Sequence, residues 1–299
     1  MRNAFRLFLV FTAAVAFCAT ASAENLTGTL KKIKDTGVVA LGYREASIPF
    51  SYLDANNKPV GYSMDLCDKI VDGLKKKLDM PNLKIKLVPV TSSTRMPLIA
   101  NGTIDMSCGS ATNTIERQKQ VDFLDTTFVT GTKLLVRSDS GIKSYKDLKG
   151  KTVVVTTGTT NERVIKALND KEHLGMRFIN AKDHPESALA VETGRASAFP
   201  MDDILLYGIK ATAKNPKVFS IVGDFLSYEP YAIIVRKNDP QFKKFADSVI
   251  VGLFKSGEIN TLYKKWFESP IPPKNVNLEL PMSPQLKKVI EHPTSKGRK

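Results

Sequence analysis

Strand and helix signals alternate along residues 38–267 in two successive rounds. That alternation predicts an α/β protein of two lobes, each a largely parallel sheet with helices on both faces. The length agrees, since 299 residues suit about two globular units. Composition agrees as well: 42% apolar and 25% charged residues exclude disordered, solenoid and collagen-like chains. No apolar run reaches the roughly 20 residues that span a bilayer.

The first round opens with a β-branched apolar strand at 38–43, then a short extended step at 49–53 and a turn at 54–58. Residues 63–78 carry helical periodicity, with Leu66, Cys67, Ile70, Val71 and Leu74 on one face. A strand at 84–90, a helix at 93–101 stopped by Gly102, a strand at 104–108 and a polar helical turn at 114–120 complete it. The second round has strands at 132–137, 153–155, 177–179, 196–200 and 218–222. Helices at 160–168, 184–192 and 202–211 lie between them. An apolar strand at 231–236 and helices at 240–255 and 257–267 follow, before PIPPK (270–274) breaks the pattern and a polar, basic tail begins. Segments 132–137 and 231–236 share a composition and bracket the second round, so they are expected to be antiparallel crossover strands between the lobes.

Residues 1–23 read as a cleaved export signal. Arg2 and Arg6 make a basic start, 7–18 is almost wholly apolar, and Ala21-Ser22-Ala23 is a small-x-small cleavage site. The apolar run is too short for a membrane anchor and has no charged stop behind it. Cys18 does not suit a lipid anchor, because bulky Phe17 precedes it. Removing this segment lowers the formal charge from +14 to +12. Two cysteines, Cys67 and Cys108, then remain in an oxidising compartment. Two buried thiols and one bridge are equally compatible with the sequence. Two Cys and three His at no recognisable spacing make a metal site improbable. The lysines are dispersed, as at Lys75-Lys76-Lys77, Lys149, Lys151 and Lys264-Lys265, which suits solvated helix faces and not a nucleic-acid groove.

In open α/β sheets, ligands sit beyond the carboxyl ends of the strands, where loops converge and helix N-termini present free N–H groups. Unusual polar residues gather at those positions. Arg44 follows 38–43; Ser92 and Arg95 follow 84–90; Ser110 and Thr112 follow 104–108. Thr157 to Thr160 follow 153–155, His184 follows 177–179, and Asp202 follows 196–200. Each has a plainer reading. A single Arg is usually a surface residue, Ser and Thr cap helices, and His184 and Asp202 open helices, where capping alone explains them. Gly158-Thr159-Thr160 suits a capped turn as well as an anion cradle. Six such positions at one edge are harder to dismiss.

Two guanidiniums with hydroxyl and N–H groups suit two carboxylates, and one Asp suits an ammonium. A small ligand with two anions and one cation is an acidic amino acid. No nucleophile–base motif and no nucleotide phosphate loop is present, so a binding protein without cofactor is expected, not an enzyme.

Longer stretches extend this. GYREASIPFSYLD (42–54), TSSTRMPLIANGTIDMSCGSATNTIERQKQVDF (91–123), GTKLLVR (131–137), VVVTTGTTNE (153–162), AKDHPES (181–187), FPMDD (199–203) and KKWFESPIPPKN (264–275) span nearly the whole chain after residue 23. On these stretches the chain resembles the polar amino-acid family of solute-binding proteins, within it the glutamate/aspartate-binding group of periplasmic uptake. The resemblance implies a two-lobe periplasmic-binding-protein fold (type II, Venus-flytrap) with two crossover hinge strands. It divides the chain into 24–131 and 232–299 for lobe one and 132–231 for lobe two. It implies that Arg95, with Ser110 and Thr112, clamps the ligand's α-carboxylate, and that Asp202 receives the α-ammonium. Thr160 adds a lobe-two contact to the carboxylate, and Arg44, Ser92 and His184 hold the side-chain carboxylate. Arg117 is expected to support the site. Tyr43 beside Arg44 departs from the group, where a more polar neighbour is the rule, and leaves glutamate against aspartate open.

The resemblance further implies a periplasmic monomer that closes on L-glutamate or L-aspartate and docks on an inner-membrane ABC permease. Two other functions fit the same pocket type. A cyclohexadienyl or prephenate-type dehydratase would need a general acid, with His184, Glu45 and Glu229 the candidates. A glutamine-binding protein would use His184 and Ser92 on an amide. Basic ligands are opposed by Arg44.

Overall fold

The computed structural model describes residues 25–299, so the export signal read at 1–23 lies outside the described residues. Two five-stranded mixed sheets form the two lobes. In the first, Val38–Tyr43 lies between Lys84–Pro89 and Met106–Cys108, parallel to both. Ile234–Val235 then runs antiparallel between Met106–Cys108 and Asp122–Phe123. In the second, Thr152–Thr156 is parallel to Arg177–Ala181 and Ala198–Asp202. Thr132–Arg137 and Phe219–Val222 extend that sheet antiparallel. Each sheet is thus parallel at its centre and antiparallel at one edge, where the chain arrives from or leaves for the other lobe.

The strands that cross between lobes are not those the apolar pattern suggests. Thr132–Arg137 belongs wholly to the second sheet, and the segment read as 231–236 splits in two. The crossover pair is Phe128–Thr130 against Glu229–Tyr231, antiparallel and separate from both sheets. Composition could not find it, because each strand has three residues and one contains Pro230, which cannot donate to a ladder. Beside it a cluster of aromatic side chains is buried. Phe128 stacks on Phe267 at 4.9 Å between ring centroids and meets Phe50 edge-on, also at 4.9 Å.

The helices begin close to where capping residues place them. Thr159 caps Thr160–Glu172 by accepting from the Glu162 N–H, and Asp183 caps His184–Glu192 by accepting from the His184 N–H. Asp239 caps Pro240–Ser256, which ends at Gly257 in the left-handed conformation. Two helices go unmarked by the alternating pattern: Gly28–Thr36, and Pro284–Glu291 in the tail.

Cys67 and Cys108 are bridged, with Cα atoms 6.2 Å apart. The bridge fastens the helix Tyr62–Lys77 to the strand whose carboxyl end leads to Ser110 and Thr112. Closing a loop across 41 residues stabilises by about 4 kcal/mol on chain entropy. The double substitution Cys67→Ala/Cys108→Ala should lower unfolding free energy by about that amount in urea titrations. An unchanged midpoint would show the bridge adds nothing to stability.

Candidate functional site

Between the lobes lies a small, tightly shut cavity with about 10 Å³ of free space. The first lobe contributes Ser92, Arg95, Ser110, Thr112 and Arg117; the second contributes Thr159, Thr160, Asn161, His184, Met201 and Asp202. All eight residues expected from the sequence are buried here or beside it. Seven line the cavity. Arg44 does not: its guanidinium lies behind the wall, donating to Ser92 Oγ at 3.0 Å, pairing with Asp183, and 3.5 Å from His184 Nε2. It reaches the cavity through Ser92 and His184.

Asp202 ends its strand at the N-cap position of Asp203–Thr212, yet its side chain does not cap. Its carboxyl accepts from Asn161 Nδ2 at 2.7 Å and from the Tyr231 hydroxyl. His184 does not cap its helix either, because Asp183 does. Its Nδ1 lies 3.1 Å from Thr156 Oγ1, which leaves Nε2 toward Arg44. Thr159 takes the capping role, and Thr160 beside it is free to face the cavity. Thr160 Oγ1 meets Thr112 Oγ1 at 3.3 Å across the lobes.

Two features of the charge distribution stand out. Arg95 is buried and donates to the Ser110 carbonyl at 2.9 Å, but among the described residues no carboxylate pairs with it. Its Nε and the Ser110 hydroxyl have no hydrogen-bond partner among the described residues. Burial, then the charges of Arg117 and Arg44, lower its pKa well below the ordinary value. Asp202 is the reverse case. Its partners are a neutral amide and a phenol, and no cation pairs with it among the described residues. Burial, then the Glu229 charge, push its carboxyl up to about 7. An unpaired charge in low dielectric is costly, and proteins rarely keep one without a use.

The surrounding groups are arranged around this pair. Burial, then the Arg44 charge, lower His184 to about 3, so its ring is neutral at ordinary pH. Burial pushes Asp183 up, but the Arg44 guanidinium together with the His184 ring and its N–H more than offsets it and holds the carboxyl low. The phenol of Tyr231 is raised well above its ordinary value, first by burial and then by Asp202. Arg117 is more than a distant support. It lines the cavity and donates to the Thr112 carbonyl at 2.9 Å and to the Gly158 carbonyl of the other lobe at 3.0 Å. Gly158 has φ +82°, and a Cβ there would lie 2.9 Å from the Ser93 Cα across the cleft. Only glycine lets the two backbones approach so closely.

Asn161 and Tyr231 were not singled out from sequence. Asn161 reads as an ordinary residue in a helix's first turn, and Tyr231 as part of an apolar strand. Among the described residues no group of His, Cys, Asp and Glu could hold a metal ion.

This is a two-lobed binding protein with a polar interlobe cleft. Residues 39–269 match the bacterial extracellular solute-binding proteins, family 3, and the chain belongs to that family. It is 52% identical over 298 residues, 99% of each chain, to the L-glutamate/L-aspartate-binding protein of Pseudomonas aeruginosa. It is 50% identical over 269 residues to the glutamate/aspartate import solute-binding protein of Salmonella typhimurium, covering 90% of this chain and 89% of the other. A mutant of the arginine-binding protein of T. maritima superposes with a TM-score of 0.71 at 33% identity, over 80% of this chain and 99% of that one. These relatives are binding proteins, and the shared fold is the type II periplasmic-binding-protein architecture.

The raised Asp202 carboxyl has a consequence for stability. It binds its proton more tightly in the folded chain than in the unfolded one, so its ionisation costs stability progressively between about pH 4 and 7, and in full above. Asp202→Asn should therefore raise the melting temperature of the ligand-free protein, and more so at about pH 8 than at about pH 5. A lower melting temperature at the higher pH would mean the ionised carboxylate is well satisfied.

Proposed function

We propose that the chain is an extracytoplasmic solute-binding protein that captures an acidic L-amino acid, glutamate or aspartate. The observation that carries the reading is one cavity walled by a buried guanidinium without a carboxylate, Arg95, and a buried carboxyl without a cation, Asp202. A zwitterion supplies both missing charges: its α-carboxylate to Arg95, Ser110 and Thr112, its α-ammonium to Asp202. Thr160 walls the carboxylate end from the second lobe, with its hydroxyl proton given to Glu229 Oε2 at 2.7 Å. The remaining end of the cavity, walled by Ser92 and His184 with Arg44 behind them, receives the side-chain carboxylate. Arg44 gives that end its positive potential, while the neutral His184 ring adds no competing titration. The relatives' glutamate and aspartate binding supports this reading.

In this reading the lobes are 24–131 with 232–299, and 132–231 between them. They bend about the crossover pair Phe128–Thr130 and Glu229–Tyr231 and close on the ligand. The Arg44–Asp183 pair, the Arg117 bond to the Gly158 carbonyl and the Thr112–Thr160 contact all join the two lobes when shut. Closing excludes water and strengthens the charge pairs. The export signal read at 1–23 supports a periplasmic location; the chain acts there as a monomer, and its closed form delivers the ligand to an inner-membrane ABC permease. It performs no catalysis. Of the general acids considered for a dehydratase, Glu229 is held by Thr160, Ser227 and Arg298, Glu45 lies exposed, and the His184 ring is already neutral at ordinary pH.

Calorimetric titration of protein stripped of carried-over ligand tests this against L-glutamate, L-aspartate, L-glutamine and L-arginine. The two acidic ligands should bind, and L-arginine should not. Heat from L-arginine alone, or from none of the four, would overturn the reading. Arg44→Ala should weaken L-glutamate about 100-fold, about 2.7 kcal/mol, and L-glutamine far less. Asp183→Asn serves as the control for the lost interlobe pair. Equal losses for both ligands that match this control would assign Arg44 to closure alone.

A further inference from the structure

The C-terminal end of the chain lies beyond the family-matched span, yet it reaches the edge of the site. Residues 294–298 run beside the loop after Ser110–Thr112 and are bonded along their length. The Thr294 carbonyl accepts from the Thr126 N–H at 2.9 Å, and the Ser295 carbonyl accepts from Asn113 Nδ2 at 2.9 Å and Gln118 Nε2 at 3.0 Å. Arg298 donates its N–H to the Asn113 carbonyl at 3.0 Å and accepts from the Ile115 N–H at 2.9 Å. The seat is close enough to need Gly297, where a Cβ would lie 2.9 Å from the Ile115 nitrogen. Across a groove, Arg298 and Lys299 face Thr160, Arg163, Val164 and Ala167 of the second lobe.

The Arg298 side chain turns inward. Its Nη2 lies 2.6 Å from Oε1 of Glu229, a carboxylate with no exposed surface on the crossover strand. Ser227 Oγ donates to the same oxygen at 2.5 Å. The other oxygen, Oε2, accepts from Thr160 Oγ1 at 2.7 Å. Thr160 is a cavity residue, and Glu229 is the neighbour whose charge acts most on Asp202. Without Arg298, Glu229 would be a second buried carboxylate lacking a cation beside the first. Such a group relocates or reorganises its surroundings, and Thr160 is among the groups bonded to it.

We propose that residues 294–298 form a strap that completes the ligand site, with Arg298 a positioning residue that holds Thr160 through Glu229. The strap is also bonded to the first lobe while its guanidinium fixes a crossover strand, so it acts where the lobes bend. This rests on the binding function proposed above for its affinity readout, but not for its structural one.

The test is a double-mutant cycle on the full mature chain. By calorimetry with L-glutamate, Arg298→Met should weaken binding about tenfold, and Arg298→Lys should weaken it less. In a Glu229→Gln background, where no carboxylate needs the cation, Arg298→Met should change affinity by less than about twofold. An equal loss in both backgrounds, or no loss in either, overturns the proposal. Amide exchange at residues 158–161 of the ligand-free protein supplies the independent readout. It should rise in Arg298→Met and not in the double variant relative to Glu229→Gln alone. If the wild type binds no amino acid, the proposed function fails while this exchange pattern still decides the strap, and unchanged exchange in Arg298→Met overturns it.

Discussion

A buried guanidinium and a buried carboxyl share one cavity without touching, and the rest of the site is organised around keeping them apart. Arg95 is turned onto the Ser110 carbonyl, and Asp202 is held between Asn161 and Tyr231. Had they been allowed to meet, they would have formed an interlobe ion pair and shut the cleft without a ligand. Each instead carries a desolvation cost, which lowers the arginine and raises the carboxyl. In the proposed reading that cost makes the ligand's contribution large, because a zwitterion relieves both penalties at once.

The same electrostatics govern closure. The Arg117 and Arg44 charges both act on Arg95 from within the first lobe, so in the proposed reading the ligand's carboxylates offset that lobe's positive charge whether the cleft is open or shut. A ligand shifts an equilibrium only by its differential affinity for the two states, and in the proposed reading the second-lobe groups Thr160, His184 and Asp202 supply the difference. The fixed interlobe contacts are few and specific. Arg44 meets Asp183, Arg117 meets the Gly158 carbonyl, and Gly158 lies against the Ser92–Ser93 backbone, where any side chain would intrude. The crossover pair is short and sits against a stacked aromatic cluster of Phe50, Phe128 and Phe267, so bending is confined to a few residues.

Much of this was legible in the sequence because the ligand chemistry follows the strand ends. A strand must stop where its loop turns, so a polar residue just beyond an apolar run marks the carboxyl edge of a sheet. Ser92, Arg95, Ser110, Thr112, Thr160, His184 and Asp202 all read out this way, and they converge on one cavity. Depth within the site was not legible: Arg44 has the same local signature as Arg95 but pairs with Asp183, a partner 139 residues away. The crossover strands were misplaced for a related reason. Phe128–Thr130 and Glu229–Tyr231 are too short to show a period, while the longer apolar runs next to them belong to the sheets. Asn161, Tyr231 and Arg298 were missed because their roles depend wholly on distant partners, and nothing in their neighbours marks them.

The central claim is that the ligand must bring both an ammonium and an α-carboxylate. The most direct measurement is calorimetric titration of the stripped wild-type protein with L-glutamate, glutarate and 4-aminobutyrate. Glutarate lacks the ammonium, and 4-aminobutyrate lacks the α-carboxylate, while each keeps the rest of the glutamate skeleton. The account predicts that each binds at least about 1000-fold more weakly than L-glutamate, because each leaves one buried charge unpaired. Glutarate binding as tightly as L-glutamate would contradict it, since Asp202 would then have no ammonium to receive.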